Sequence, residues 1–97
     1  MAESAHRLVY RVHAVERMVE RGISDDDVRQ VLVAGKEIES YPSDYPYPSR
    51  LVLGWCGPRA IHVVAADNTV DNETIIVTVY EPDPDRWQSG FERRKPE

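Results

Sequence analysis

The stretch that decides the fold is HAVERMVERGISDDDVRQVL, residues 13–32. Its apolar residues recur with the 3.6-residue period of an α-helix, which predicts a first helix from about Val12 to Arg21. Ser24 followed by three acidic residues is typical of a helix N-terminus, so we expect a second helix from there to Gly35. Because only one or two residues separate the two helices, they should pack as a hairpin.

The predicted first helix has two different faces. One face is apolar and is expected to join the core; it consists of Val12, Val15, Met18 and Val19. Another face carries a basic stripe, with His13, Arg17 and Arg21 at intervals of four residues. Packing does not require such a stripe, so these three residues are candidates for binding or catalysis. The alternative is a solvated face on which neighbouring glutamates pair with the arginines.

The composition indicates a single folded domain over residues 1–97, with an ordered core over about residues 8–92. The chain is 41% hydrophobic and 30% charged, which is typical of a globular protein rather than of a disordered one. It contains no apolar run long enough to cross a bilayer and no signal-peptide pattern. We therefore expect a cytoplasmic protein that does not interact with membranes.

The charged residues and the cysteine content exclude several classes of function. A net charge of −5, from 12 basic and 17 acidic residues, argues against non-specific binding of nucleic acid but allows a local basic pocket. Cys56 is the only cysteine, which excludes an internal disulfide, and the three histidines lack the spacing of metal ligands. We therefore expect no metal and no cofactor. Cys56 itself is interpreted as a small half-buried side chain rather than a nucleophile.

After the second helix the apolar residues alternate, as is typical of strands. The loop at residues 42–49 is rich in proline and tyrosine and cannot join a ladder. Short turns indicate an antiparallel meander, so the expected fold is α+β, with two N-terminal helices packed on a four-stranded antiparallel sheet. Residues 1–7 and 92–97 are expected to be loose, while Trp87 and Phe91 fold back onto the body. The predicted strands cover residues 36–41, 50–56, 60–66 and 74–80.

The alternation along these strands predicts which side chains share a face. A three-residue turn at 57–59 would set Gly54 opposite His62, and the next turn would set Thr78 opposite His62. A titratable ring beside a hydroxyl, above a position without a side chain, would form a hollow suited to a substrate. The other face, toward the helices, would carry Leu51, Leu53, Trp55, Ile61, Val63, Ala65, Ile75, Val77 and Val79.

These residues suggest a specific chemistry. His62 can take or give a proton near neutral pH, because the reference pKa of histidine is about 6.5. Thr78 and Tyr80 could donate hydrogen bonds, and Arg50 or Arg59 could hold a phosphate. Cleavage of RNA by attack of the 2′-hydroxyl on phosphorus requires a base, an acid and a cation, and no metal. The alternative is that His62 is a half-buried structural residue of a strand.

The tyrosines of the proline-rich loop allow two interpretations. Tyr41, Tyr45 and Tyr47 could stack on nucleobases. Loops of this composition also commonly pack against the edge of their own domain.

A set of short motifs extends over about residues 10–92. They are His13 to Met18 (HAVERM), Glu20 to Ser24 (ERGIS), Asp27-Val28, Val31-Leu32, Gly35, Tyr41-Pro42, Leu53-Gly54, His62-Val63-Val64, and Ile76 to Tyr80 before Pro82. With these motifs the chain resembles the domain of unknown function family 4258, which looks like a branch of the RelE-like toxin fold that also includes barnase and the colicin ribonucleases.

The resemblance implies an RNA-cleaving toxin of a type II toxin-antitoxin pair. It implies RNA as the substrate and a cognate antitoxin of the zinc-finger and helix-turn-helix type as the partner. It also implies functional positions at His13 and Arg17 on the helix and at His62 and Thr78 on the sheet.

We therefore predict a metal-independent endoribonuclease toxin. The predicted catalytic residues are His62, His13, Arg17, Thr78 and Tyr80, and the predicted phosphate-binding residues are Arg50, Arg59 and Arg21. The alternatives are a non-catalytic RelE-like binding or regulatory module and a toxin that acts on the ribosome or gyrase without cleaving free RNA. A free sheet edge could also pair two copies into a homodimer. The helix stripe and the His62 cluster form one site only if the first helix lies at the sheet edge or the sheet curls strongly.

Overall fold

The computed structural model describes residues 7–96, which form one five-stranded sheet with two helices on one face. In chain order the elements are β1 (Arg7–Tyr10), α1 (Val12–Arg21), α2 (Asp25–Ala34), β2 (Lys36–Tyr41), β3 (Ser49–Cys56), β4 (Arg59–Asn68) and β5 (Glu73–Tyr80). The fold is α+β, as expected, but the sheet differs from the predicted one in strand number and direction.

Both helices begin and end where the sequence predicts. Ser24 Oγ accepts a 3.0 Å hydrogen bond from the Asp27 N–H, and the Asp27 carboxylate accepts one of 3.0 Å from the Ser24 N–H. This reciprocal capping box starts α2. Gly22 ends α1 in the left-handed conformation, at φ 63° and ψ 41°. Neither of these helices in residues 7–96 has the length and apolar character needed to span a membrane.

The sheet has the strand order β1-β5-β4-β3-β2, with β1 parallel to β5 and antiparallel pairing elsewhere. The prediction of a four-stranded antiparallel sheet was therefore wrong. It missed β1 because this strand has four residues, and the alternation of Leu8 and Tyr10 is too brief to show a period. Of the segment expected to be loose, residues 1–6 lie outside the described residues, whereas Arg7 begins β1.

β1 positions both helices. The Arg11 N–H, just before α1, donates a 3.0 Å hydrogen bond to the Ile76 carbonyl of β5. The Tyr10 hydroxyl donates to the carboxylate of Asp25 in the first turn of α2. As a result α1 lies beside β5, near the edge of the sheet, and α2 lies over β3 and β4.

α1 presents a different face to the core from the one its sequence pattern predicts. Ala14 is fully buried and Met18 packs against the core. By contrast, Val12 is 75% exposed, Val19 is 78% exposed, and Val15 also faces solvent. The prediction that these three valines join the core was wrong. A helix near the sheet edge contacts the core along a narrow strip, which Ala14 and Met18 fill.

The turn between β3 and β4 has two residues, 57–58, instead of the predicted three. A shift of one residue exchanges the two faces of a strand. Gly54 therefore pairs with Ile61, and Leu53 occupies the position opposite His62. The β3 residues expected to face the helices lie on the other face of the sheet; they are Leu51, Leu53 and Trp55.

Gly54 lies directly beneath α2. A Cβ atom at this position would be 2.7 Å from Val31 Cγ2 and 2.9 Å from Val31 Cα, so only glycine allows the helix to pack this closely on β3. The predicted hollow between Gly54 and His62 was therefore wrong, because Gly54 faces the helix. The core between helices and sheet consists of Ala14, Ile23, Val28, Val31, Val52, Ile61, Val63, Ala65, Ile76 and Val79.

The register between β4 and β5 also differs from the prediction. The ladder shifts by a β-bulge between Val64 and Ala65, which places Thr78 opposite Val64 and Tyr80 opposite His62. Tyr80 is therefore the cross-strand neighbour of His62, in place of Thr78. Because bulges are set by the packing of both strands, the alternation of β5 alone does not predict this one.

The chain after β5 folds back over the sheet face opposite the helices. Trp87 is 4% exposed and Phe91 is half-buried, so the prediction that both fold back onto the body is confirmed. Trp87 and Arg94 form an isolated antiparallel bridge. Of residues 92–97, which were expected to be loose, residues 92–96 therefore take part in a folded turn, and residue 97 lies outside the described residues.

The contrast between buried and exposed valines can be tested by one substitution made at two helical positions. Val28→Ala removes two fully buried methyl groups in α2 and should lower the free energy of unfolding by about 2–3 kcal/mol. Val19→Ala in α1 should change it by no more than about 0.5 kcal/mol. Urea denaturation of both variants measures the difference. Equal destabilisation would contradict the observed orientation of α1.

Candidate functional site

His62 lies in the middle of the sheet and is completely buried, with 0% of its surface exposed. Its Nε2 atom is 3.0 Å from the Phe91 carbonyl oxygen, and its Nδ1 atom is 3.2 Å from the Tyr80 hydroxyl. Because a carbonyl only accepts, Nε2 carries the proton and Nδ1 accepts the hydrogen bond from Tyr80. In the neutral imidazole, both ring nitrogens therefore have a hydrogen-bond partner.

Aromatic rings and one ion pair cover His62 on the side away from the helices. The Trp87 ring meets the imidazole edge-on at 4.5 Å between centroids, and the Tyr80 ring does so at 5.2 Å. The Arg94 guanidinium stacks on Trp87 at 4.6 Å and donates hydrogen bonds of 2.8 and 3.1 Å to the two carboxylate oxygens of Glu39. This bidentate pair anchors the C-terminal turn to β2.

The electrostatics of this cluster favour the neutral imidazole. Burial lowers the pKa of His62 below its usual 6.5, and the positive Arg94 acts in the same direction. The Phe91 carbonyl and the negative Glu39 oppose this shift without cancelling it. Arg94 in turn lowers the pKa of Glu39, and burial raises the pKa of Tyr80. His62 is thus uncharged at neutral pH.

A second group of polar residues lies in an open cleft at the far end of the same sheet face. The cleft has a volume of about 350 Å³ and lies where the start of α1 meets the loop between β2 and β3. It contains an imidazole, a guanidinium, a carboxylate and two phenol rings. Its lining residues are Arg11, His13, Asp44, Tyr45, Pro46, Tyr47, Ser49, Ala66 and Val77.

The charged and aromatic side chains of this cleft, unlike His62, reach the solvent, whereas Ser49 and Ala66 are buried. Arg11 and His13 are exposed, and neither side chain makes an ion pair or hydrogen bond within residues 7–96. Tyr45 is 94% exposed, and Tyr47 is partly buried. The Asp44 carboxylate accepts a hydrogen bond from the Ser49 hydroxyl. The cleft therefore offers a free cation, a titratable ring and an exposed aromatic surface.

The two groups share one face of the sheet. His62, Val64 and Ala66 alternate along β4, and Ala66 lines the cleft that also contains His13. His62 and Ala66 are four positions apart along the strand, or about 13 Å. The position of α1 near the sheet edge brings His13 to the rim of this face, and the Thr78–Val64 pair lies between the two groups.

The other predicted site residues on the helix do not reach either group. Arg17 Nη1 lies 3.4 Å from the Glu20 carboxylate on the exposed side of α1, as the solvated alternative expected. Arg21 contributes its backbone carbonyl as an acceptor for Arg59. The basic stripe is therefore divided, since His13 lines the cleft and Arg17 pairs within its own helix.

The two predicted phosphate-binding arginines of the strands are held in ion pairs. Arg50 pairs with Asp67. Arg59 pairs with Glu81 at 2.7 Å and donates to the carbonyls of Arg21 and Gly22 at the end of α1. Arg59 thereby gives hydrogen-bond partners to the carbonyls at the C-terminal end of α1, so a structural role is sufficient to explain its position.

Sequence patterns did not single out Arg11, Asp44, Glu39 or Arg94. The proline-tyrosine loop was a signal for Asp44, since its tyrosines were candidates for base stacking. The Glu39–Arg94 pair joins residues 55 positions apart and has no local signal. Within residues 7–96 no group of three or more histidine, cysteine, aspartate or glutamate side chains is arranged to hold a metal ion.

The protein is thus a small α+β domain with an open polar cleft at one end of its sheet. The family model of DUF4258, described as a domain of unknown function, matches residues 10–81. The chain therefore belongs to the DUF4258 family, and the resemblance found in its motifs is confirmed. Comparison with curated proteins and with solved structures finds no match. The C-terminal turn over His62 lies outside the matched region.

The buried His62 predicts a pH dependence of stability. The unfolded chain takes up a proton at this residue near pH 6.5, whereas the folded chain resists it because its pKa is lowered. Stability from this residue is therefore present above pH 6.5 and is lost as the pH falls below that value, toward the folded pKa. His62→Gln should flatten the fall in unfolding free energy between pH 7 and pH 5.

Urea denaturation at several pH values measures this effect, and NMR titration of the His62 ring protons measures the folded pKa directly. A wild-type fall in stability over this pH range that persists unchanged in His62→Gln would show that another group is responsible.

Proposed function

We propose that this protein is an endoribonuclease toxin that cleaves RNA by general acid-base chemistry at the cleft between α1 and the β2–β3 loop. The observation that carries the proposal is the meeting of His13, Arg11 and the exposed ring of Tyr45 in one cleft of about 350 Å³. This volume is within the range of small-ligand sites. Metal-free RNA cleavage requires proton transfer and a cation, which His13 and Arg11 would supply, and the ring of Tyr45 adds a surface on which a base can stack.

His13 is the proton-transfer group in this proposal. Its imidazole accepts the proton of the ribose 2′-hydroxyl, whose oxygen attacks the adjacent phosphorus. The bond from phosphorus to the 5′-oxygen breaks, and the imidazolium gives the proton to that oxygen. The products are a 2′,3′-cyclic phosphate and a free 5′-hydroxyl. The Arg11 guanidinium stabilises the negative charge that develops on the phosphate oxygens.

The tyrosines of the loop bind the bases next to the scissile phosphate. Tyr45 is almost fully exposed, so a base can stack on its ring without displacing protein atoms. The exposed Asp44 carboxylate, which the Ser49 hydroxyl holds in place, adds a hydrogen-bond acceptor beside it. The positive charge of the cleft comes locally from Arg11, which is compatible with a chain whose net charge is −5.

The antitoxin partner that this function requires also has a candidate surface. Val12, Val15 and Val19 form an exposed apolar stripe along α1. Such a stripe favours contact with another protein. It also favours the alternative of a non-catalytic binding module, which would use the same surface without cleaving RNA.

Three substitutions in the cleft test the proposal. His13→Ala should slow RNA cleavage by about 10²- to 10⁴-fold, because it removes the proton-transfer group. Arg11→Ala should also slow it, while Arg29→Ala, which removes an exposed arginine from α2, serves as the matched control and should not. Tyr45→Ala should weaken binding of single-stranded RNA by about 1–3 kcal/mol. Cleavage of a labelled RNA and fluorescence anisotropy measure these effects.

Several results would overturn the proposal. Cleavage of RNA by His13→Ala at the wild-type rate would show that the cleft is not the catalytic site. Absence of RNA cleavage by the wild-type protein, with and without ribosomes, would favour the binding module. Growth arrest on expression with intact RNA would favour a toxin that acts on the ribosome or gyrase.

A further inference from the structure

A second open cleft lies on the helix side of the sheet, between α2 and strands β1, β3 and β5. It has a volume of about 390 Å³ and is lined by Leu8, Arg29, Leu32, Val33, Arg50 and Thr74. None of these residues lines the cleft that contains His13. Arg50 and Val52 alternate along β3, and Val52 belongs to the core beneath the helices, so Arg50 points to the helix side of the sheet.

Half of the lining of this second cleft is apolar. Leu8 and Leu32 are partly buried and pack against the core, whereas Val33 is 87% exposed. Arg29, Leu32 and Val33 are spaced as i, i+3 and i+4, so they share one face of α2. A cleft of this volume, with an apolar surface and a few polar groups, is typical of a site for a small ligand.

Arg50 is held in a fixed position in this cleft. One oxygen of the Asp67 carboxylate accepts a hydrogen bond from Arg50 Nη1, and the other accepts one of 2.8 Å from the Thr74 hydroxyl. Thr74 is 3% exposed, so a buried hydroxyl orients the carboxylate and the carboxylate orients the guanidinium. Arg50 Nε and Nη2 have no hydrogen-bond partner within residues 7–96.

Arg29 likewise retains unused donors. Its Nε donates a 2.7 Å hydrogen bond to one oxygen of Asp25, and the Tyr10 hydroxyl donates to the other oxygen. The two Nη groups of Arg29 make no hydrogen bond to any of the described residues. Each oxygen of Asp25 and Asp67 therefore has a protein donor, whereas both arginines still have N–H groups to donate. The cleft lacks an acceptor beside its apolar lining.

We propose that this second cleft binds a small carboxylic acid with an apolar body. The ionised carboxylate accepts hydrogen bonds from the free N–H groups of Arg29 and Arg50, since guanidinium donors match carboxylate oxygens in geometry and charge. The apolar body of the acid packs on Leu8, Leu32 and Val33. The nearby Asp25 and Asp67 carboxylates favour a monoanion over a phosphate dianion, which they repel more strongly.

The first experiment compares four probes by NMR titration of the isotope-labelled protein. Octanoate has both the carboxylate and the apolar chain, 1-octanol has the chain alone, acetate has the carboxylate alone, and inorganic phosphate is a different anion. Octanoate should shift the methyl signals of Leu8, Leu32 and Val33 and bind about tenfold more tightly than any of the other three. Equal binding of 1-octanol, or tighter binding of phosphate, would overturn the proposal.

The second experiment removes the two guanidinium groups separately. Arg29→Gln changes an exposed residue and should weaken octanoate binding by about five- to tenfold while leaving 1-octanol binding unchanged. Arg50→Gln alone would leave Asp67 without its cation, so it is combined with Asp67→Asn, which keeps an acceptor for Thr74. This double variant should weaken octanoate binding by a similar factor.

Arg86→Gln is the matched control, because it removes an exposed arginine that pairs with Asp83 far from the cleft in the sequence. It should leave octanoate binding unchanged, and an equal loss in this variant would show that only net charge matters. Octanoate shifts confined to Val12, Val15 and Val19 of α1 would place the acid elsewhere and overturn the site. Because the two clefts share no lining residue, RNA cleavage without octanoate binding would overturn this proposal alone, and octanoate binding without RNA cleavage would overturn only the proposed function.

Discussion

The two-residue turn at 57–58 sets the register between β3 and β4, and the rest of the molecule depends on it. With this register Gly54 faces α2, which can then approach the sheet until Val31 contacts the backbone of β3. The same register turns Leu51 and Leu53 to the opposite face, around His62. A turn longer by one residue would exchange these two faces and leave α2 without its packing site.

The sheet face away from the helices therefore carries the candidate functional side chains. Two histidines lie on this side of the molecule in contrasting surroundings, one in the middle of the sheet and one at its rim. His13 is exposed beside Arg11 in an open cleft, whereas His62 is buried, neutral and hydrogen-bonded at both nitrogens. A buried imidazole with satisfied nitrogens is stable as a structural residue.

Predictions that depend on residues close together in the sequence were correct, whereas those that depend on residues far apart in the sequence were missed. The helix boundaries were predicted correctly because Ser24, Asp27 and Gly22 act within one turn. The three longer antiparallel pairings were expected, but the parallel strand β1 was not, because its partner β5 is more than sixty residues away. For the same reason the Glu39–Arg94 pair was missed, whereas the tyrosine loop of the cleft was recognised from its composition.

The sequence by itself determined the two helices, the four antiparallel strands of the meander, the return of Trp87 and Phe91 to the body, and membership of the DUF4258 family. These features depend on capping, on the period of apolar residues and on motifs that are local in the chain. Only the tertiary structure decided which face of α1 is buried, which side of β3 meets the helices, and that His62 is covered while His13 lies open. Those outcomes depend on one edge strand, one turn length and one bulge, whose effects become visible only when distant segments pack together.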